Sequence, residues 1–197
     1  GGQYDQALKQ NKALIKQCSE TPSEAFAHIQ NAVIYSATSE YVSAFESLQA
    51  GERSFQSTGL GGFEAKHYLS GTTLVLVNLG QYDLAETKLI ELEHLTSSPD
   101  YMCRIMFNRL NIALAEQNFQ YSSEARLKEV TTYCEQANEL LYLQFSQTIW
   151  HYFKFIDDGV DLGRVSEWLD NHHKNESQVL ALNYPYLSSA YYATLAQ

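Results

Sequence analysis

Apolar residues recur along this chain at the three- and four-residue spacing of amphipathic helices. The segment 81–97 shows the pattern best, with one apolar stripe formed by Tyr82, Ala85, Leu89 and Leu92. Short polar stretches separate segments of this kind throughout the chain. The pattern therefore predicts an all-α protein. Its ten predicted helices are 3–18, 22–37, 39–56, 62–79, 81–97, 99–117, 120–136, 138–157, 161–174 and 183–196.

Prolines and glycines support several of these boundaries. Pro22 and Pro99 each follow a Thr or Ser, which is the arrangement of an N-cap followed by proline at the first helical position. The sequence Thr-Pro-Ser-Glu at 21–24 also predicts a capping box. Gly80 fits the left-handed residue that ends a helix and lets the chain reverse.

A sequence repeat lies over this helical pattern. Residues 2–7 read GQYDQA and residues 80–85 read GQYDLA, an offset of 78 residues or two periods of 39. Tyr41 and Ala44 supply the intervening copy, and looser copies fall near 119–125 and 159. Each period holds two predicted helices. We therefore expect about five helix pairs in a single repeat domain over 1–197, a continuous solenoid without a linker.

The Gly-x-Tyr-x-x-Ala signature at a helix–turn–helix junction resembles the tetratricopeptide repeat (TPR). The resemblance implies a right-handed superhelical solenoid of antiparallel helix pairs that binds peptides or partner helices in its concave groove. The spacing is longer than the usual 34 residues and resembles that of maltose-regulator-type sensor proteins and of repeat modules in bacterial diguanylate cyclases (GGDEF type) and histidine kinases. The matching positions are Gly2, Tyr4, Ala7, Tyr41, Ala44, Gly80, Tyr82 and Ala85.

The charge balance narrows the classes of partner. With 13 Lys and Arg against 23 Asp and Glu, the net charge of −10 is the wrong sign for phosphate backbones and for anionic membranes. No apolar stretch approaches the roughly 20 residues needed to span a bilayer. We expect a peptide or protein partner, basic or neutral, and neither nucleic acid nor membrane. The oligomeric state stays open.

The number and spacing of the cysteines indicate the cellular compartment. Cys18, Cys103 and Cys134 are odd in number, widely spaced and form no CxxC pair. They predict free thiols in a reducing compartment rather than a disulfide framework. Residues 1–16 carry no apolar core of a signal peptide. These observations predict a cytoplasmic location.

The helix predicted at 99–117 carries the leading candidate site. Arg104, Asn108 and Asn111 fall at i, i+4 and i+7 and form one narrow polar stripe on an otherwise apolar helix. Asparagine side chains can both donate to and accept from an extended peptide backbone. The stripe is therefore interpreted either as part of a partner-binding groove or as an ordinary strip that faces water.

Weaker candidates for the same groove lie on two neighbouring predicted helices. His67 and Asn78 are the corresponding polar positions on 62–79, and Gln144, Thr148 and His151 are those on 138–157.

Catalytic and metal-binding motifs are not found. His172, His173 and Glu176 lie close in sequence, but adjacent histidines do not share a helix face, so a solvated loop is favoured over a metal site. The glycines at 59–62 lack the strand and the Lys-Ser/Thr of a phosphate-binding loop. We therefore expect no cofactor, no metal and no enzymatic activity in this segment.

These features together predict an interaction module. It is expected to be the sensory or scaffolding part of a larger bacterial signalling or transcription-regulating protein, with a metabolite-sensing domain as the alternative. Residues 1–3 and 195–197 fall at equivalent points of the repeat, which predicts that the chain is a section of a longer array.

Overall fold

The fold is given by a computed structural model that describes residues 2–58, 62–116, 118, 124–140, 142, 143, 146, 147 and 149. Within these residues the chain forms helices and no strand, which confirms the predicted all-α class for this part of the chain. The helices are α1 (Gly2–Gln17), α2 (Pro22–Ala37), α3 (Tyr41–Thr58), α4 (Phe63–Asn78), α5 (Tyr82–Leu95), α6 (Pro99–Ala115) and α7 (Glu124–Gln136).

The first six helices agree with the predicted boundaries to within two residues at each end. Helix α7 ends at Gln136 as predicted. The residues described between 140 and 149 are helical, as expected for the start of the predicted helix 138–157. The predicted helices 161–174 and 183–196 lie outside the described residues.

The chain divides into two compact units, Gly1–Ser97 and Ser98–Gln197. The single continuous solenoid of five repeats stays a prediction.

Helix α2 is the centre of the first unit and contacts α1, α3 and α4, while α5 packs on α4. Small residues make these contacts close. Ala44 and Ala85, the alanines of the repeat signature, are completely buried, as are Ala25 and Ala32 on α2. Because alanine has so short a side chain, helices that meet at these positions can approach closely.

Two glycines bring α3 and α4 still closer to α2. Gly51 and Gly71 both lie in helix interiors, where glycine is unfavourable by about 1 kcal/mol relative to alanine. Both face Ile29 of α2. A Cβ atom on Gly51 would lie 3.1 Å from Ile29 Cδ1, and one on Gly71 would overlap with Ile29 Cγ2. The glycines therefore make room for the Ile29 side chain.

The same turn ends α2, α4 and α7. In each case a residue with positive φ follows the helix, and the next amide donates to a carbonyl five residues back, as in a Schellman motif. Gly80 confirms the predicted left-handed glycine, with φ 72°. The equivalent positions after α2 and α7 are Ser39 and Asn138.

The capping box predicted at the start of α2 forms differently. Thr21 is the N-cap residue, but its hydroxyl donates to the carbonyl of Cys18 instead of accepting from the helix. The Glu24 carboxylate accepts from the amide of Glu20, one residue before the N-cap. Since the chain already turns at Cys18, both side chains stabilise this preceding turn rather than the first helical turn.

A disulfide bond joins α6 and α7 in the second unit. It links Cys103 to Cys134, whose Cα atoms lie 4.7 Å apart, and both residues are completely buried. The prediction of three free thiols is therefore wrong, since only Cys18 is free. The two cysteines are 31 positions apart in the sequence, so only the packing of α6 on α7 brings them together, and their spacing alone did not indicate the pairing.

A lipid bilayer could not be crossed by any helix in the described part of the chain, since none is both long and apolar enough.

Candidate functional site

The polar stripe of α6 lies inside the second unit. Asn108 and Asn111 are only 3% and 8% exposed, whereas the Arg104 side chain keeps 27% of its surface exposed. Helix α6 is buried on nearly every side. The stripe is therefore a partly open arginine followed by two enclosed amides. The other buried residues of this helix are Tyr101, Met102, Cys103, Ile105, Met106, Phe107, Leu110, Ile112, Ala113 and Leu114.

Arg104 is held by a carboxylate and two aromatic rings. Its guanidinium donates to Glu139 Oε1 at 2.7 Å. The Cζ atom lies 5.9 Å from the ring centroid of Tyr101 and 5.7 Å from that of Tyr142, both within the range of a cation–π interaction. Tyr142 also meets Phe107 edge to face, with centroids 5.0 Å apart. These contacts fix the arginine in one orientation.

Protonation in this cluster follows from its burial and its charges. Burial alone would lower the pKa of Arg104, but the hydrogen bond to Glu139 and the neighbouring groups raise it above its ordinary value. Burial raises the pKa of Tyr142 and that of Tyr101, and Arg104 opposes both shifts. The arginine is therefore charged and both phenols are neutral at physiological pH.

Three polar atoms along the stripe are buried without a hydrogen-bond partner: Arg104 Nε, Asn108 Oδ1 and Asn111 Nδ2. Asn108 uses its Nδ2 to donate to the Arg104 carbonyl at 2.9 Å, which leaves its oxygen unpaired. A buried polar atom without a partner costs about 1–3 kcal/mol. A ligand that supplied these partners would recover that free energy.

The arrangement presents hydrogen-bonding groups that a ligand could complete. It offers two donors and one acceptor on a single helix face, beside an arginine whose protonation does not change near neutral pH. An amide or peptide group carries both an acceptor and a donor and would complement such a set.

The candidates of α4 lie in the first unit and have structural contacts there. Asn78 donates from Nδ2 to Ser36 Oγ of α2 at 3.2 Å. His67 packs edge to face against Phe63, with centroids 4.2 Å apart, and against Phe26 at 6.0 Å. Both side chains therefore contribute to the packing of this unit.

The remaining candidates lie outside the described residues. These are Gln144, Thr148 and His151 of the predicted groove, together with His172, His173 and Glu176. Among the residues that the structure does describe, no group of three His, Cys, Asp or Glu side chains could hold a metal ion.

Sequence reasoning missed the partners of Arg104. Glu139 lies 35 positions from Arg104 and follows the turn that ends α7, so nothing in its local sequence marks it. Tyr101 lies three positions before Arg104 on the same helix, and this i, i+3 spacing is a signal that could have found it. Tyr142 has no such signal.

Comparisons with known proteins do not identify a family for this chain. No protein-family model, no curated protein and no solved structure matches it.

Proposed function

We propose that this chain is a helical-repeat interaction module that recognises an extended peptide or protein segment through the polar stripe of α6. In this proposal, stacked TPR-like helix pairs form the scaffold of a right-handed solenoid, and Arg104, Asn108 and Asn111 contact the partner in its groove. The module acts by recognition without catalysis, as the regulatory or scaffolding part of a larger bacterial signalling or transcription-regulating protein. Gln144, Thr148 and His151 are further candidates for this groove, whereas His67 and Asn78 of the first unit have the contacts within that unit described above.

The observation that carries the proposal is the set of unpaired polar atoms along the stripe. Arg104 Nε and Asn111 Nδ2 are donors and Asn108 Oδ1 is an acceptor, and a peptide backbone presents the complementary groups. Arg104 is the exposed end of the stripe, so a partner would meet it first. The two enclosed asparagines would then be reached only as the surrounding chain moves aside.

The test uses a peptide selected from a random display library on the intact chain. We expect the triple variant R104A/N108A/N111A to bind it at least about tenfold more weakly, because two or more hydrogen bonds of about 1 kcal/mol each are lost. The control variant R126A/K128A/T132A changes three exposed residues of α7. Unchanged affinity in a triple variant with a native circular dichroism spectrum would contradict the proposal.

The burial of the asparagines supports a second candidate, a small-molecule sensor. At 3% and 8% exposure, Asn108 and Asn111 are enclosed in the way that suits a compact ligand better than a long peptide. A metabolite that binds only the native state raises the melting temperature. A thermal-shift screen with a metabolite library therefore separates the two candidates, since a module that binds peptides alone gives no shift.

The disulfide bond bears on the compartment. The predicted cytoplasmic location depended on free thiols, and disulfides are rare in reducing compartments. The bond between Cys103 and Cys134 supports an oxidising compartment instead.

A further inference from the structure

Helix α1 presents a basic face in an acidic protein. Lys9, Lys12 and Lys16 fall at i, i+3 and i+7, and all three are exposed. They border a shallow cleft of about 480 Å³, and the other residues that line it are Asp5, Leu8 and Ala13 of the same helix, so one carboxylate lies among the three lysines. The cleft thus combines positive charge with a small apolar surface.

Some cations of the protein are neutralised by glutamates, whereas these three lysines, like Arg53 and Lys128, form no ion pair within the described residues. In the part of the chain that the structure describes, Lys88, Arg104 and Arg126 each form an ion pair with a glutamate. No such ion pair is found there for the lysines of the α1 face. In a protein with a net charge of −10, this face is a local reversal of sign that a carboxylate-bearing surface would complement.

Helix α5 carries a surface of the opposite character. Leu84, Ile90 and Leu95 are 56%, 45% and 48% exposed, and Asp83 and Glu91 are exposed beside them. Three large apolar side chains exposed on one helix of 14 residues are typical of a contact surface, because water is a poor environment for them. Glu91 forms an ion pair with Lys88 of the same helix at 3.1 Å, and Asp83 adds a second carboxylate, so the surface keeps a net negative charge.

We propose that the basic face of α1 binds the acidic, apolar face of α5 in a second copy of this chain. The two charged rows have similar lengths, since seven residues of helix span about 10 Å between Lys9 and Lys16 and eight span about 12 Å between Asp83 and Glu91. The face of α5 supplies apolar side chains to the cleft along α1, which a nucleic acid or a lipid headgroup does not. The chain's net charge also repels both of those polyanions.

An interface between two different faces is heterologous. Each copy that joins through its α1 face keeps its own α5 face free, so the contact generates open chains of molecules unless the rotation closes a ring. Association is therefore expected to continue beyond the dimer as the concentration rises.

The first experiment is sedimentation velocity on the intact chain over a wide range of concentration. We expect the mean mass to rise with concentration at about 0.05 M NaCl and to fall toward the monomer at about 0.5 M, where the screening length is much shorter. A chain that stays monomeric at every concentration and low salt overturns the proposal.

The matched control moves the three charges without changing their number. Replacing Lys9, Lys12 and Lys16 by Gln, and three exposed glutamines of α1 by Lys, keeps the composition and net charge but turns the basic row toward another side of the helix. The glutamines are Gln6, Gln10 and Gln17. We expect association to weaken by roughly tenfold or more, because several close charge pairs are lost. Undiminished association of this variant overturns the proposal.

Charge reversal identifies the partner surface. We expect K9E/K12E/K16E and, separately, D83K/E91K to remain monomeric, because each places like charges across the interface. An equimolar mixture of the two should associate again, since the reversed faces complement one another. A mixture that stays monomeric, while each variant has a native circular dichroism spectrum, overturns the assignment to α5.

Discussion

The Cγ2 methyl group of Ile29 occupies the space that a Cβ atom on Gly71 would need. Ile29 belongs to α2 and Gly71 to α4, so the contact sets how closely these two helices approach. Gly51 of α3 faces the other end of the same side chain, Cδ1. One isoleucine thus determines the spacing of three helices.

Replacing Gly71 by Ala is therefore expected to destabilise the protein. The added methyl group forces apart a packed contact, at about 1–3 kcal/mol, which exceeds the gain of up to about 1 kcal/mol in helix propensity. Urea denaturation measures the difference. Gly51→Ala is the comparison, and it should be close to neutral because the end of the Ile29 side chain can shift by a few tenths of an ångström.

A double-mutant cycle tests whether the destabilisation by Gly71→Ala comes from its contact with Ile29. In an Ile29→Ala background, Gly71→Ala should no longer destabilise, because the methyl group that it meets is gone. If Gly71→Ala were equally destabilising in both backgrounds, its effect would come from somewhere other than Ile29.

Arg104→Ala and Glu139→Ala should each lower the free energy of unfolding by about 1–2 kcal/mol, because each leaves a partly buried charge without its partner. Arg104→Lys should restore little of it, since an ammonium group lacks the planar surface that lies between two tyrosine rings. Chemical denaturation of all three variants tests this, with Arg126→Ala as the exposed control. Full stability of Arg104→Lys would show that charge alone matters at this position.

The Cys103–Cys134 bond should contribute about 3–4 kcal/mol, as expected for closing a loop of 31 residues. Reduction, or the double variant C103A/C134A, should therefore lower the melting temperature. Thiol titration of the unreduced, unfolded chain should find one thiol per molecule, that of Cys18. Three thiols per molecule in protein purified without reductant would contradict the bond.

Acid should weaken the first unit through His28. Burial, the largest cause, lowers the pKa of His28 below 6.5; Glu24 opposes the shift and Arg53 adds to it. Because the folded state binds a proton less readily than the unfolded state, stability is constant above the unfolded pKa and falls as the pH drops below about 6.5. Urea midpoints measured above and below that pH test this. His28→Gln should reduce the loss, whereas His94→Gln, at an exposed position, serves as the control.

The helices could be predicted because their signals are local. The apolar stripe of α5, the prolines that open α2 and α6 and the glycine at 80 each act within a few residues of the boundary that they mark. The apolar spacing and the capping residues therefore predicted the boundaries of the first six helices to within two residues. The predicted capping box does not form at Thr21, because its side chain bonds to the preceding turn instead of the first helical turn.

Contacts between helices could not be predicted in this way. The amino-acid sequence shows glycines at 51 and 71, but not that both face Ile29. The polar stripe of α6 is visible as a spacing, but its burial depends on packing partners that are distant in sequence. For the same reason the sequence did not predict the contacts Arg104–Glu139 and Cys103–Cys134.

Two polar contacts, one buried and one partly buried, also fix the position of helix α2 along its axis. Near its middle, Asn31 accepts a hydrogen bond from Asn11 of α1 at 3.0 Å, and near its end Ser36 accepts one from Asn78 of α4 at 3.2 Å. An apolar interface tolerates a small slide, but a shift of α2 by one turn would break both bonds inside the protein. We therefore expect α1, α2 and α4 to keep a single register and to move together as one rigid group.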